Sequence, residues 1–183
     1  MGVRVISGVA KGHRLQVPRG LTVRPTPDRA KEGLFSILGG RVADCQFLDL
    51  YAGSGAIGIE ALSRGAAAAL FVEKRDYVAE IIRRNLARTG LAGRSTVMVA
   101  DVADALKKLA KVRKCFDIIF ADPPYNFKKA AVILQLIDDK ELLNENGLVI
   151  WEHRAAVSLP PRIGNMVCGK EVRYGDTSFS FLS

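Results

Sequence analysis

Phe47-Leu48-Asp49-Leu50-Tyr51-Ala52-Gly53-Ser54-Gly55-Ala56-Ile57-Gly58 decides how the rest of this chain is read. Its first five residues are the short apolar run of a buried strand. Its glycines follow a G-x-G-x-x-G spacing, and Ile59 to Ser63 continue as a helix. Between a strand and a helix, that spacing lets backbone approach a nucleotide closely. The next apolar run, residues 67–72, ends at Glu73, about twenty residues after the first glycine, where an acid typically binds ribose hydroxyls. The loop alone fits NAD or S-adenosylmethionine (SAM). Asp49 argues for SAM. A pyrophosphate binder gains nothing from a carboxylate just before the glycines, whereas the methionyl end of SAM carries an ammonium group.

Outward from this stretch the pattern is strand and helix in alternation. Strands are expected at residues 47–51, 68–73, 96–100, 116–121 and 147–152, and helices at 56–63, 77–91, 102–111 and 128–138. Continuous apolar strands alternating with helices imply a parallel sheet covered on both faces. The tail departs from this: residues 166–174 and 178–182, joined by Gly175-Asp176, read as a hairpin. Upstream, residues 4–7 and 13–17 read as two short strands about a turn. Thr26 is expected to cap a following helix with Pro27 at its first position and Asp28 in its first turn, and Gly39-Gly40 to end it.

The second chemical signal is Asp122-Pro123-Pro124-Tyr125, after the apolar run 116–121. Two prolines lock the backbone and remove two N–H donors, leaving local carbonyls without competing donors. A carboxylate precedes them and an aromatic ring follows. Such a set accepts hydrogen bonds from an exocyclic amine and stacks on a planar base, and it has no role in hydride transfer. In the doubly wound order 3-2-1-4-5 the first and fourth strands are neighbours at the switch point, so the glycine loop and Asp122 are expected to face each other. The expected cofactor contacts are Asp49, Ala52, Gly53, Ser54 and Gly55 in the loop, Glu73 and Lys74 after the second strand, and Asp101 and Val102 after the third. Asp101 would take the adenine amine, or simply cap the next helix.

Composition adds a partner. The chain has 183 residues, 49% hydrophobic and 25% charged, and a formal net charge of +8. That fits one domain with a small appendage, and the excess of Lys and Arg suggests a polyanion such as nucleic acid. Residues 1–40 are expected to form a nucleic-acid-binding hairpin-and-helix extension, and 41–183 the catalytic domain. Arg4, Lys11, Arg14, Arg24 and Arg29 are its expected nucleic-acid contacts, RNA in the family named below, with His13 and Arg19 as further candidates; Arg24 and Arg29 could instead shape the cofactor pocket. Cys45, Cys115 and Cys168 are widely spaced, which indicates neither a zinc site nor a disulfide framework and fits a reducing cytoplasm. No metal is expected. No apolar run is long enough to span a bilayer. Trp151 reads as core and His153 as structural.

These motifs together resemble the RsmD family, SAM-dependent methyltransferases acting on a guanine N2 amine in bacterial small-subunit ribosomal RNA. The likeness spans nearly the whole chain: Arg4-Val5-Ile6-Ser7-Gly8 with Lys11-Gly12 and Leu15; Arg24-Pro25-Thr26-Pro27-Asp28-Arg29 with Glu32, Leu34 and Phe35; the glycine loop continued by Glu60 to Ala66; Asp122 to Tyr125; and Tyr174-Gly175-Asp176-Thr177. Gly33, Ser36 and Tyr51 stand where the family more often has Ala, Asn and Phe, and Gly33 is expected to weaken its helix by roughly 1 kcal/mol against Ala. The resemblance implies a Rossmann-like class I SAM-dependent methyltransferase. It would have a mostly parallel seven-stranded sheet, a C-terminal β-hairpin and a small N-terminal extension, and act as a monomer on rRNA, within a small-subunit particle. Asp122, Pro123, Pro124 and Tyr125 would be its catalytic residues, with the target base flipped from its stack. The competing readings are an adenine-N6 DNA methyltransferase, a glutamine methyltransferase, and a non-catalytic RNA assembly factor on the same fold.

Overall fold

The computed structural model describes residues 3–18, 27–124 and 130–183. Five parallel strands form the centre: β1 (Gln46–Leu50), β2 (Ala68–Glu73), β3 (Ser95–Val99), β4 (Phe116–Ala121) and β5 (Leu143–Arg154). Three more follow, β6 (Arg162–Ile163), β7 (Met166–Tyr174) and β8 (Thr177–Leu182), and the sheet runs in the order β3-β2-β1-β4-β5-β8-β7-β6. β8 lies antiparallel on β5, pairing Trp151 with Ser180, and β7 antiparallel on β8. The order of the first five strands is the doubly wound one. Two-residue β6 takes the described sheet to eight strands, one more than expected.

The helices are α1 (Asp28–Leu38), α2 (Ala56–Ser63), α3 (Asp76–Arg88), α4 (Val102–Lys111) and α5 (Ala130–Asp139). They cover both faces, as continuous apolar strands require. Alternation along β1 and β4 divides the core. Phe47, Ile118 and Phe120 pack with residues of α1, α2 and α3, while Leu48, Leu50, Ile119 and Ala121 pack with α4 and α5. Trp151 is fully buried in the second layer, as core.

Two local details differ from expectation. Pro27, not Thr26, is the N-cap of α1, so the helix starts one residue later than expected: the Pro27 carbonyl accepts the first intrahelical bond, from Lys31 N–H at 2.9 Å. Thr26 lies outside the described residues. Gly33 also has a packing role that helix propensity does not show: a Cβ there would fall 2.1 Å from the Tyr174 hydroxyl, so a larger residue would have to displace that ring.

Residues 3–15 form a hairpin with the expected turn. Its pairing is an isolated bridge, Arg4 to Arg14, flanked by Val5 N–H to His13 O and Leu15 N–H to Val3 O. Val3, Val5, Ala10 and Leu15 enter the same apolar cluster as α1 and α2. This hairpin, together with Gln16 that follows it, is called the arm below.

Candidate active site

The carboxyl ends of β1, β2 and β4 meet because β1 lies between the other two. β1 pairs Leu50 with Val72 on one side and with Ala121 on the other. The next residue on each strand is Tyr51, Glu73 and Asp122. Ala52 N–H donates to Val72 O at 3.0 Å, and Asp122 N–H reaches Leu50 O at 3.5 Å. The expected meeting of the glycine loop with Asp122 is therefore present in the sheet register.

The loop turns through left-handed backbone. Gly53 has φ 54° and Gly55 φ 77°, conformations glycine adopts freely. Tyr51 also has φ 60°, uncommon for a bulky residue and the kind of strain that concentrates at functional loops. Burial and the nearby Asp101 push its phenol up to about 12. Gly58, third in the glycine pattern, is fixed by packing: a Cβ there would fall 2.3 Å from the Phe71 ring and 3.0 Å from Asp49 Oδ2.

Three carboxylates line the strand ends. Asp49 is 2% exposed, and its Oδ2 accepts from Gly58 N–H at 2.9 Å, tying the first turn of α2 to β1. Burial raises its pKa well above the usual carboxylate range; the Gly58 bond opposes this, and the charges of Asp122 and Glu73 add to it. Glu73 accepts from Gly53 N–H at 3.2 Å, and its other oxygen from Arg75 N–H at 2.9 Å and Arg75 Nε at 3.2 Å. Asp122 is half-buried as a residue, and burial pushes its carboxyl up to about 7. Carboxylates crowded and desolvated in this way favour a cationic occupant over a pyrophosphate.

Asp101 does cap α4, accepting from Ala103 N–H at 3.1 Å. Its other oxygen stands 3.4 Å from the exposed Lys74 ammonium. Val102 is buried, while Ala52 and Ser54 lie in the loop itself. Pro123 is half-buried and Pro124 exposed. Tyr125 lies outside the described residues. Among the expected RNA contacts, Arg4, Lys11, Arg14 and Arg29 are exposed, with Arg4 Nε 3.1 Å from Asp28; Arg24 lies outside the described residues. No group of three or more ligand-type side chains able to hold a metal occurs among the described residues.

Sequence reading missed how the arm is held. Glu60, on α2, is fully buried. Its carboxylate accepts from Ile6 N–H at 2.7 Å and Ser7 N–H at 3.0 Å, and pairs with Arg64 at 2.8 Å and Lys31 at 3.5 Å. Burial lowers the Lys31 pKa against the pull of Glu60, and its ammonium also donates to Arg4 O. Ser63 Oγ donates to Ser7 O at 2.5 Å and accepts from Ala10 N–H at 2.9 Å. The available signal was an acid inside an apolar helix.

Residues 3–183 match the family described as "Conserved hypothetical protein 95". An Escherichia coli (strain K12) relative named "Ribosomal RNA small subunit methyltransferase D" is 34% identical over 97% of this chain and 87% of its own length. The chain belongs to the RsmD family. YlbH of Bacillus subtilis (strain 168), named provisionally as an rRNA methyltransferase, is 39% identical over 96% of this chain and 95% of its own. The solved structure of yhhF from Escherichia coli, described provisionally as a methyltransferase, superposes with a TM-score of 0.87 at 34% identity, covering 100% of this chain and 97% of that one. RsmD membership makes this sheet, with its parallel centre and antiparallel C-terminal strands, an α/β methyltransferase fold. No helix among the described residues is long and apolar enough to cross a membrane.

Proposed function

We propose that this RsmD-family chain uses SAM to methylate the exocyclic N2 amine of a guanine in small-subunit ribosomal RNA. The observation that carries the reading is the adjacency of the two strand tips: Leu50, before the glycine loop, pairs with Ala121, before Asp122-Pro123-Pro124. Its relatives' names carry the rRNA substrate, and the basic arm agrees with it. Residues 1–40 act as the RNA-binding extension and 41–183 as the methyltransferase domain.

The carboxylate set fits a cationic nucleoside cofactor. Glu73 would take the ribose hydroxyls, Asp101 the adenine amine, and Asp49 the ammonium while its Oδ2 still holds Gly58. Val102 packs beside the adenine, and backbone at Ala52, Gly53, Ser54 and Gly55 allows close approach. Bound there, the cofactor supplies a methyl group already activated by its sulfonium.

The chain's own work is on the acceptor. The guanine N2 lone pair is delocalised into the ring and must be freed. Asp122 and the Pro123 carbonyl accept hydrogen bonds from the amine, favouring a pyramidal nitrogen. Pro124 keeps that carbonyl rigid, and Tyr125 stacks on the flipped base. As the nitrogen gains the methyl it becomes acidic, and Asp122, with its raised pKa, can take the proton. Positioning and preorganised polar groups supply the acceleration.

Tritiated SAM offered with naked small-subunit rRNA, assembled small subunits, DNA or protein tests this directly. Label in a guanine N2 of the small-subunit RNA is expected. Label only in adenine, in DNA or in protein would overturn the substrate, and no label in any acceptor would overturn the activity.

A further inference from the structure

We infer that Asn85 is a positioning residue that couples the arm to the cofactor loop, so that RNA and cofactor bind cooperatively. The inference rests on the reading of arm and loop given above. Asn85 sits on α3 among Val78, Ala79, Ile82 and Leu86, on that helix's buried face, and is itself fully buried. An apolar side chain would suit that place, so the amide needs another reason. Its Nδ2 donates to Ser54 O at 2.9 Å and to Gln16 O at 2.9 Å, and its Oδ1 accepts from Gln16 N–H at 2.8 Å. One side chain thus joins the end of the arm to the middle of the glycine loop.

A second tie runs in parallel. Glu60 and Ser63 hold the arm's other residues to α2, and α2 begins at the loop, where Gly58 N–H is bound to Asp49. Any shift of Ser54 on binding cofactor must either carry Asn85 with it, straining its bonds to Gln16, or break the Asn85 bond to Ser54 O. Buried polar groups tolerate such loss poorly, because an unmade bond there keeps its full desolvation cost. Thermodynamic reciprocity then requires RNA on the arm to tighten the cofactor by the same factor that cofactor tightens RNA.

Asn85→Asp is the informative substitution. It keeps shape and the acceptor for Gln16 N–H, yet it removes both donors and sets a carboxylate against two carbonyls. The first measurement is amide hydrogen exchange of the full chain with and without S-adenosylhomocysteine. In the native protein the loop and the arm amides around Val5, Leu15 and Gln16 should both slow, the arm by about fivefold or more, the lower range of site-to-site coupling. In Asn85→Asp the loop should still slow and the arm should not. The second measurement is S-adenosylhomocysteine affinity in the presence and absence of small-subunit rRNA. It should improve by about fivefold or more in the native protein and by little in Asn85→Asp. Loop protection without arm protection in the native protein overturns the coupling and leaves the functional reading standing. Failure of S-adenosylhomocysteine to bind at all overturns the reading of the loop, and the inference with it. Should Asn85→Asp not fold, the native exchange pattern decides alone.

Discussion

Glu60, on α2, and Asp49, on β1 and bonded to Gly58 of α2, are buried carboxylates, 0% and 2% exposed. Glu60 meets two backbone N–H groups and two cations. Asp49 has one hydrogen bond, from Gly58, and the like charges of Asp122 and Glu73 nearby. Desolvating a charge is costly unless partners offset it. The first carboxylate is therefore complete within the fold and does structural work, clamping the arm. The second belongs to a set whose compensation is unfinished, and unfinished compensation is what a cationic ligand can supply. The difference separates a carboxylate that holds the fold from one proposed to bind a ligand.

The largest expected effect is on the complete site. Glu60→Ala leaves Lys31 buried without its carboxylate and the Ile6 and Ser7 N–H groups without acceptors. Breaking a buried pair this way costs about 3–5 kcal/mol. Urea unfolding should show that loss, and limited proteolysis should cut the arm first. A change below about 1 kcal/mol would mean that apolar packing of Val3, Val5 and Leu15, not the clamp, holds the arm.

At the unfinished site the effect should fall on chemistry instead. Asp122→Ala should fold and bind cofactor nearly as before, while methyl transfer drops by about 10²–10³, the loss typical of removing one preorganised polar group. A single-turnover assay on the RNA substrate reads it. Full activity in Asp122→Ala would leave the Asp-Pro-Pro segment as only a rigid turn after β4.

The raised carboxyls predict a pH dependence of known sign. Asp122 has a folded pKa near 7, above its ordinary value, so its contribution to stability is present below the usual carboxylate range. It is lost as pH rises through about 7, by up to about 1.4 kcal/mol per pH unit for one proton. Asp122→Asn cannot titrate. The cofactor-free variant should therefore gain stability relative to the native protein between pH 5 and pH 7, measured by denaturant unfolding. Parallel stability curves would show that the Asp122 carboxyl is not desolvated.

The contrast also explains what was legible in the sequence. β2, β4, α2, α4 and β7 begin and end where periodicity and turn residues put them, because each is a local pattern. The glycine spacing and Asp122-Pro123-Pro124 are local too, and one rule of sheet order brought them together. Glu60 and Asn85 were not legible in the same way. Their partners lie 54 and 69 residues away, at Ile6 and Gln16, and no spacing rule reaches that far. β6 was missed because two residues carry no period. The left-handed backbone at Tyr51 was hidden because the residue there is not glycine.

The smallest effect per side chain belongs to the arm's outer face. Arg4, Lys11 and Arg14 are exposed, and the Arg4 pair with Asp28 is a surface one, 61% and 43% exposed, so none should matter much to folding. Their work would be on phosphates, which fix register without reading bases. Neutralising all three should weaken RNA binding and flatten its salt dependence by a log–log slope of roughly 0.7–0.9 for each lost phosphate contact. Stability should stay within about 0.5 kcal/mol of the native protein, since surface changes of this kind rarely do more. Cofactor affinity measured without RNA should not move, because Glu60 and Asn85 still hold the arm from beneath. An unchanged salt slope would remove the arm's outer face from the RNA surface. A changed slope together with weakened cofactor binding in the absence of RNA would mean that the outer face and the clamp are not separable, and the division between holding and binding would have to be redrawn through the arm itself.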